Sequence, residues 1–368
     1  MNKIAVLGAG HGGCATSCDL TRKGYSVNLF EGFDTKLLEP IKAKGGLEYV
    51  GAIGEGFAKL NKVTSNIKEA VEGVDLIMVV VPSSGHEYHA TQIAPYLKEG
   101  QLIFVVPGHT GGSLHFSSVL KKQGVKASLN LCETNTLPYI TRKETLDRVR
   151  IFSKDKNILF SVFPSKNFKE VYEKIRPLYP DLRPTENVLE TGLMNDNALM
   201  HPPTMILNTG WVEYSKGNFA FYYDGFTPSI ANVAEALETE RYDTEKALGL
   251  NPTRFVDWWI TTGRTKSIES LYEAVRTSEA NKAIRAPDNM KHRFLEEDID
   301  FGLVPMSHFS KIANVPIPTT TSLIQLASKI NKTDYMQRGL TPEKMGIENL
   351  DLHGLKAFVK DGQRINKK

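Results

Sequence analysis

Closely spaced glycines near the start of the chain could bind a phosphate. Gly8-Ala9-Gly10-His11-Gly12-Gly13 follows the apolar, strand-like run Ile4 to Leu7 and precedes a segment predicted to be helical. In such a unit, Gly8 permits a tight turn, Gly10 lets the backbone approach a pyrophosphate, and Gly13 lets the helix pack close to the strand. The helix N-terminus adds unpaired N–H groups and a partial positive charge. The turn therefore predicts a dinucleotide site, with His11 covering the cofactor.

An acidic residue follows this unit at a chemically useful distance. The predicted second strand, Ser26 to Phe30, ends at Glu31, 18 residues after Gly13. A carboxylate there accepts hydrogen bonds from ribose hydroxyls and repels a 2'-phosphate. Glycine-rich turns are common in ordinary loops, but the strand, the helix and the acid together favour the functional interpretation. The expected cofactor is NAD(H), with NADP(H) disfavoured.

Proton transfer near neutral pH usually requires a histidine, and one of the nine histidines has a distinctive context. His201 lies in the stretch Asn195-Asp196-Asn197-Ala198-Leu199-Met200-His201-Pro202-Pro203. Asn197 and His201 are four residues apart, so on a helix they offer an amide and an imidazole on one face. Pro202 and Pro203 are expected to kink or end that helix. The alternative is a core histidine without a chemical role.

Metal and disulfide chemistry are not indicated. His86 and His89 are three apart on a predicted helix, but no third ligand follows, which favours a surface role over a metal site. Cys14, Cys18 and Cys132 are odd in number and lack metal-type spacing, which fits a reducing compartment and a cytoplasmic location. No metal is expected.

The elements that must position these residues follow from the apolar pattern. Val74 to Val81 and Leu102 to Val106 are nearly continuous apolar runs, typical of parallel strands covered on both faces. Each ends in a turn at the sheet edge where ligands bind, so we expect Pro82 and Ser83 to contact the cofactor. Further strands are predicted at Ala127 to Cys132, Arg148 to Ser153 and Ile158 to Phe163.

From about residue 190 helical patterns replace strand-like runs. Thr227-Pro228, an N-cap and first-turn proline, precedes apolar residues at helical spacing that can continue to Gly249. The expected fold class is α/β plus all-α. A Rossmann NAD(P)-binding domain over residues 1–190 is followed by an all-helical substrate and catalytic domain over residues 191–368.

Composition excludes several other classes of protein. The 368 residues are 41% hydrophobic and 24% charged, with 45 Lys plus Arg against 42 Asp plus Glu, for a net charge of +3. Nothing concentrates this excess into a basic run, so nucleic acid is not an expected partner. Apolar stretches are strand-length, far below the roughly 20 residues that span a bilayer, so no membrane association is expected.

Several stretches together resemble the octopine/nopaline (opine) dehydrogenase family over almost the whole chain. They are Gly8 to Gly13, Pro107 to Gly112, Glu133 to Tyr139, Asn197 to Pro203, Tyr223 to Ser229, Ala286 to Asp288 and Glu297 to Pro305. The resemblance implies a Rossmann domain and a helical domain like that of 6-phosphogluconate dehydrogenase, with substrate held between them. It also implies an NAD(P)H-dependent oxidoreductase that condenses an amino acid with a 2-oxo acid such as pyruvate and reduces the imine.

The same resemblance assigns residue roles. His201 matches the catalytic acid/base and Asp298 the acid that pairs with it, a pairing that would fix the imidazole tautomer. Asn197 is expected to orient substrate or nicotinamide, and Thr134 and Thr136 to bind substrate. Glu133 and Thr134 are expected to line the nicotinamide side of the cofactor site. An alternative for Glu297 and Asp298 is a solvated acidic patch, since Glu296 and Asp300 lie beside them. His109 departs from the family pattern, which often has arginine there, so substrate binding at that turn is in doubt.

Two other functions stay open at this level. A hydroxy-acid dehydrogenase would reduce a ketone without an amine, and a non-catalytic NAD-binding regulator could keep the fold. The expected partners are the two small-molecule substrates and a second copy of the chain in a homodimer. The sequence does not determine the oligomeric state, the amino acid and 2-oxo acid, the product stereochemistry or the physiological direction.

Overall fold

The computed structural model describes residues 1–265, 270–278 and 281–364. Contacts divide the chain into two compact units. The first comprises Met1–Gly108, Gly112–Val188 and Lys360–Gly362. The second comprises His109–Gly111, Leu189–Val359 and the residues from Gln363. The main break therefore lies between residues 188 and 189, and a three-residue segment after Gly108 groups with the second unit.

The first unit contains all of the named strands in the described residues and six helices. The strands are β1 (Lys3–Leu7), β2 (Ser26–Phe30), β3 (Gly46–Gly51), β4 (Gly56–Lys59), β5 (Lys62–Thr64), β6 (Leu76–Val79), β7 (Leu102–Val105), β8 (Asn130–Thr134), β9 (Tyr139–Thr145), β10 (Arg148–Lys154), β11 (Leu159–Phe163) and β12 (Arg183–Pro184). The helices are α1 (His11–Arg22), α2 (Glu39–Lys44), α3 (Ile67–Val71), α4 (His86–Ile93), α5 (Gly112–Lys122) and α6 (Phe168–Ile175).

Eight strands form the main sheet, in the order β12-β11-β8-β7-β6-β1-β2-β5. The block from β8 to β5 is parallel, and β11 pairs antiparallel with β8. Every residue of β6 and β7 is buried, as expected of central strands covered on both faces. The predicted Rossmann unit is confirmed, and its carboxyl edge carries the turns after β1, β6 and β7.

A second, four-stranded sheet in this unit was not predicted. Its order is β4-β3-β10-β9, with β3 and β10 parallel and the outer pairs antiparallel. Of these strands only β10 was expected from the apolar pattern. After the buried Tyr139 and the half-buried Ile140, strand β9 carries only half-buried and exposed polar residues, so it lacks the apolar periodicity that marks a core strand.

The second unit is helical, with only an isolated bridge between Ala220 and Arg285 as β-structure among its described residues. Its helices are α7 (Val188–Leu193), α8 (Asp196–Leu207), α9 (Thr209–Ser215), α10 (Pro228–Ala247), α11 (Phe255–Thr262), α12 (Leu271–Thr277), α13 (Arg293–Asp298), α14 (Val304–Ile312), α15 (Pro318–Asn331), α16 (Tyr335–Arg338), α17 (Pro342–Met345) and α18 (Leu352–Asp361). Two π-helical turns, Phe221–Gly225 and Ile299–Leu303, interrupt the pattern. The predicted helical domain is confirmed, and α10 begins at the predicted Thr227-Pro228 pair.

Helix α8 passes through its two prolines instead of ending there. It continues from Pro203 to Leu207, so of the two predicted effects of Pro202 and Pro203, a kink or an end of the helix, the end is wrong. Nearly all of α8 is buried, and its start is capped by Asn195, whose side chain accepts a hydrogen bond from the backbone N–H of Ala198. Tertiary packing thus overrides the local cost of the missing N–H groups.

No helix within the described residues is both long enough and apolar enough to cross a membrane.

Candidate active site

The glycine turn between β1 and α1 has the backbone that a pyrophosphate requires. Gly8 has a φ of +105°, and a Cβ there would lie 2.6 Å from the Val80 carbonyl oxygen. A Cβ at Gly13 would lie 1.8 Å from the Gly8 carbonyl oxygen, so helix and strand approach too closely for any side chain. A Cβ at Gly10 would meet nothing within 4 Å, and no side chain caps α1. The helix N-terminus is thus left open to an anionic group.

Glu31 lies where β2 ends and also holds the turn itself. Its Oε2 accepts the backbone N–H of Ala9 at 3.0 Å, and its Oε1 accepts that of Phe33 at 2.9 Å. The position of this carboxylate was predictable from the sequence, but its two hydrogen bonds to the turn were not. Any substitution at Glu31 therefore changes both the charge at the end of β2 and the support of the turn.

The other residues predicted at the sheet edge are mostly buried. Ser83 lies in the short helical turn after Pro82, and Glu133 and Thr134 are the last residues of β8. Glu133 Oε2 accepts the N–H of Ser113 at 3.1 Å, in the first turn of α5. Thr136 is half-buried beyond the strand. Glu133 thus supports helix α5 in addition to any contact it makes with a ligand.

In the second unit, His201 forms a hydrogen-bonded cluster with two buried partners. Its Nδ1 lies 2.7 Å from Asp298 Oδ2, and its Nε2 lies 2.7 Å from the Tyr222 hydroxyl. Phe294 stacks on the imidazole, with ring centroids 4.0 Å apart. His201 is 5% exposed. The structure brings together the two residues predicted as an acid/base pair and adds Tyr222, which the sequence analysis missed.

The chemistry of the partners fixes the proton positions on a neutral His201. Burial, with the nearby charges of Asp196 and Asp298, raises the pKa of Tyr222 well above its usual value, so the phenol keeps its proton. A carboxylate can only accept, so Nδ1 carries the hydrogen that Asp298 receives. Nε2 then presents its lone pair to the Tyr222 hydroxyl. The basic nitrogen of the pair is therefore Nε2.

The acidic segment at the end of α13 is not a solvated patch. Glu297, Asp298 and Asp300 are all buried, so that alternative is wrong. Asp300 forms an ion pair with Arg338 at 2.7 Å, and Asp298 is the carboxylate that is hydrogen-bonded to His201. Helix packing buries these carboxylates, and the local density of acidic residues in the sequence gives no indication of that burial.

Close packing between helix α8 and the turn after α13 fixes the distance between His201 and Asp298. A Cβ at Gly302, in the π-helical turn after α13, would lie 2.5 Å from the Ala198 Cβ on α8. A glycine at this position lets the turn that follows Asp298 approach the helix that carries His201. The π-helical turn that carries Tyr222 is anchored separately, because the neighbouring Tyr223 carbonyl accepts a hydrogen bond from the Arg276 guanidinium at 2.6 Å.

Two further polar side chains lie on the same elements as the cluster. Asn197 precedes His201 by one helical turn and is half-buried. Arg293, at the start of α13, has a 55% exposed side chain and an ion pair with Glu297 at 2.9 Å. Arg293 was not predicted as a site residue, because an arginine in a polar segment carries no signal by itself.

The turn at His109 also belongs to the second unit. His109 has a φ of 57° and is buried. Its neighbour Thr110 donates from Oγ1 to the Gly192 carbonyl at 2.7 Å and from its N–H to the Phe301 carbonyl at 3.2 Å. The segment that departs from the family pattern is therefore tied to the turn that follows Asp298.

The histidine pair on α4 is not at the surface. His86 and His89 are both buried, and His89 Nδ1 lies 2.8 Å from the Gly85 carbonyl oxygen. The predicted surface role is wrong because this face of α4 packs inward, with Phe116 of α5 beside His86. Across the described part of the chain, no group of three or more His, Cys, Asp or Glu side chains could hold a metal ion.

Comparison with known proteins decides the family. Residues 184–331 match the model of the NAD/NADP octopine/nopaline dehydrogenase alpha-helical domain, and residues 3–131 match the NAD-dependent glycerol-3-phosphate dehydrogenase N-terminus. An opine dehydrogenase of Arthrobacter sp. (strain 1C) is 34% identical over 355 residues, 96% of this chain and 98% of that protein. The chain belongs to the opine dehydrogenase family. It is accordingly an NAD-dependent oxidoreductase.

More distant members of the family have the same extent and fold. Octopine dehydrogenase of Pecten maximus is 23% identical over 393 residues, 95% of this chain and 98% of its own. An octopine dehydrogenase structure with NADH and L-arginine superposes with a TM-score of 0.82 at 20% identity, over 100% of both chains. That octopine dehydrogenase structure therefore shares the fold of this chain.

Proposed function

We propose that this opine dehydrogenase condenses the amino group of an amino acid with a 2-oxo acid such as pyruvate and reduces the product to a secondary-amine dicarboxylate, using NADH. The first unit holds the cofactor, and the second presents His201 as acid/base with Asp298 as its partner. The observation that carries this proposal is the buried hydrogen-bonded pair of His201 and Asp298, 2.7 Å apart. The relatives, which are named as opine and octopine dehydrogenases, support an amino acid and a 2-oxo acid as the substrate classes.

The glycine turn fits a dinucleotide. Gly8, Gly10 and the open N-terminus of α1 would hold the pyrophosphate, and Glu31 would receive the ribose hydroxyls. The chemistry that the cofactor supplies when bound is transfer of a hydride to the carbon of the carbon–nitrogen double bond.

His201 moves the protons that the condensation requires. Nε2 takes a proton from the substrate ammonium, and the freed amine attacks the ketone carbon. A proton then passes from the added nitrogen to the former ketone oxygen, which becomes the hydroxyl of a carbinolamine. Nε2 returns its proton to the departing hydroxyl, which leaves as water and gives an iminium ion. After reduction, one proton from solvent completes the secondary ammonium product. Asp298 stabilises the imidazolium that exists between the two transfers at Nε2.

Two side chains near His201 suit the polar groups of the substrates. Arg293 is half-exposed and adjacent in the chain to Phe294, which stacks on His201. A guanidinium there would bind a substrate carboxylate through two parallel hydrogen bonds. Asn197, one turn before His201, would orient the substrate with its amide. Both assignments follow from position on the elements that carry the cluster.

Measuring substrate dependence tests the proposed reaction. NADH oxidation is followed with the twenty amino acids and several diamines, each combined with pyruvate, oxaloacetate, glyoxylate or 2-oxoglutarate. We expect turnover that requires both an amine and a 2-oxo acid and yields their secondary-amine product by mass spectrometry. Oxidation with the 2-oxo acid alone would instead identify a hydroxy-acid dehydrogenase, and no turnover with any pair would favour a non-catalytic role.

The carboxylate of Glu31 should control the choice of cofactor. Glu31→Gln removes the charge that repels a 2'-phosphate but retains an oxygen that can accept one of the two backbone N–H groups. We expect the ratio of the NADPH and NADH dissociation constants to fall by about 10-fold or more, since a charge contact contributes about 1.5 kcal/mol or more. Fluorescence titration measures both constants. Glu39→Gln, in the exposed first turn of α2, is the control. A wild-type preference for NADPH contradicts this role.

A further inference from the structure

The backbone of Ala9, inside the glycine turn, is held from both sides by charged side chains. Its N–H is accepted by Glu31 Oε2 at 3.0 Å, and its carbonyl oxygen accepts from Lys143 Nζ at 3.2 Å. The acid comes from the end of β2, as in the predicted dinucleotide unit. The lysine comes from β9, in the second sheet, which the dinucleotide unit does not require.

Strand β9 fixes where this ammonium group lies. Lys143 pairs with Val149 across the β9–β10 ladder, and its backbone N–H donates to His11 Nδ1 at 3.0 Å. His11 is the first residue of α1. The second sheet is therefore joined to the start of the cofactor helix by both the backbone and the side chain of one residue.

The Lys143 ammonium group has hydrogen-bond donors that remain available for a ligand. It has three N–H donors, and one is given to Ala9. Among the described residues, no carboxylate forms an ion pair with it. The adjacent N-terminus of α1 carries a partial positive charge and no side-chain cap, and a Cβ at Gly10, the residue after Ala9, would meet nothing within 4 Å. The Glu31 carboxylate is occupied by the backbone N–H groups of Ala9 and Phe33, so the ammonium group and the helix N-terminus can still attract an anion.

We propose that Lys143 is a ligand of the cofactor pyrophosphate, supplied by the second sheet. The two free N–H donors bind phosphate oxygens while the third keeps the Ala9 carbonyl in place. This inference depends on dinucleotide binding alone and is independent of the reaction proposed above.

Binding measurements test this role without any turnover. Calorimetric titration compares NADH, ADP-ribose and adenosine, of which only the first two carry the pyrophosphate. For Lys143→Met we expect the dissociation constants of NADH and ADP-ribose to rise by about 10-fold to 100-fold, the range for a lost hydrogen bond between charged groups. Adenosine binding should not change. Because an ionic contact is lost, ADP-ribose affinity should also depend less steeply on salt concentration.

Matched variants separate charge from fold. Lys143→Arg keeps the cation and should bind ADP-ribose within a few-fold of the wild type. Lys59→Met, on exposed β4 of the same sheet, should have no effect. Unchanged ADP-ribose affinity in Lys143→Met would overturn the proposal. An equal loss of adenosine affinity would overturn it as well, because that result indicates a damaged turn rather than a missing phosphate ligand.

Discussion

Replacing His201 with asparagine is expected to lower kcat by at least about 100-fold while leaving NADH affinity unchanged. The amide N–H can take the place of Nδ1 and donate to Asp298, so the buried carboxylate keeps its partner, whereas asparagine is too short to reach the Tyr222 hydroxyl that Nε2 contacts. It cannot exchange a proton near neutral pH, and loss of a general acid/base typically costs about 100-fold to 10,000-fold. Alanine is the poorer choice because it would leave the buried Asp298 charge without a partner.

The measurement combines steady-state kinetics with NADH titration. His308→Asn is the matched control, since His308 is a half-buried histidine of the same unit on α14 and takes no part in the cluster. It should retain near-wild-type kcat. If His201→Asn turned over at the wild-type rate, His201 would not be the acid/base of this enzyme.

The parts of the fold that are encoded locally could be read from the sequence. Gly13 is required by its contact with Gly8 inside one strand–turn–helix unit, and Gly8 by its φ of +105°, so their spacing was sufficient evidence for that unit. Strands β6 and β7 are apolar throughout because both faces are covered, and that pattern needs no knowledge of the partner strands. The start of α10 was likewise encoded in two adjacent residues, Thr227 and Pro228.

Features that depend on distant packing could not be read in this way. Tyr222 reaches His201 from a π-helical turn 21 residues later, a geometry with no sequence period. The second sheet gives a weak sequence signal, because only a few of its residues, such as Leu47, Val149 and Ile151, are buried and apolar, and β9 is mostly polar. Helix α8 continues through Pro202 and Pro203 because nearly all of it is buried against other parts of the fold. The pairing of His201 with Asp298 was expected from family resemblance, and their spacing of 97 residues gave no independent signal.

Asp298→Asn is expected to lower kcat by about 100-fold to 10,000-fold through the proton positions on His201. If the new amide N–H faces Nδ1, the imidazole must carry its hydrogen on Nε2, which then donates to Tyr222 and has no lone pair for the substrate. If the amide oxygen faces Nδ1, the tautomer is kept but the imidazolium loses its carboxylate. A triad carboxylate changed to asparagine has an effect of this size in serine proteases.

The control for this variant lies two residues away. Asp300→Asn removes a buried carboxylate paired with Arg338, so it should lower stability with little effect on kcat. In the double variant His201→Asn, Asp298→Asn, kcat should be no lower than in the worse single variant, because Asp298 acts only through His201. Multiplicative losses would mean that Asp298 contributes to turnover independently of the imidazole, and its role as the partner that fixes Nε2 as the base would have to be abandoned.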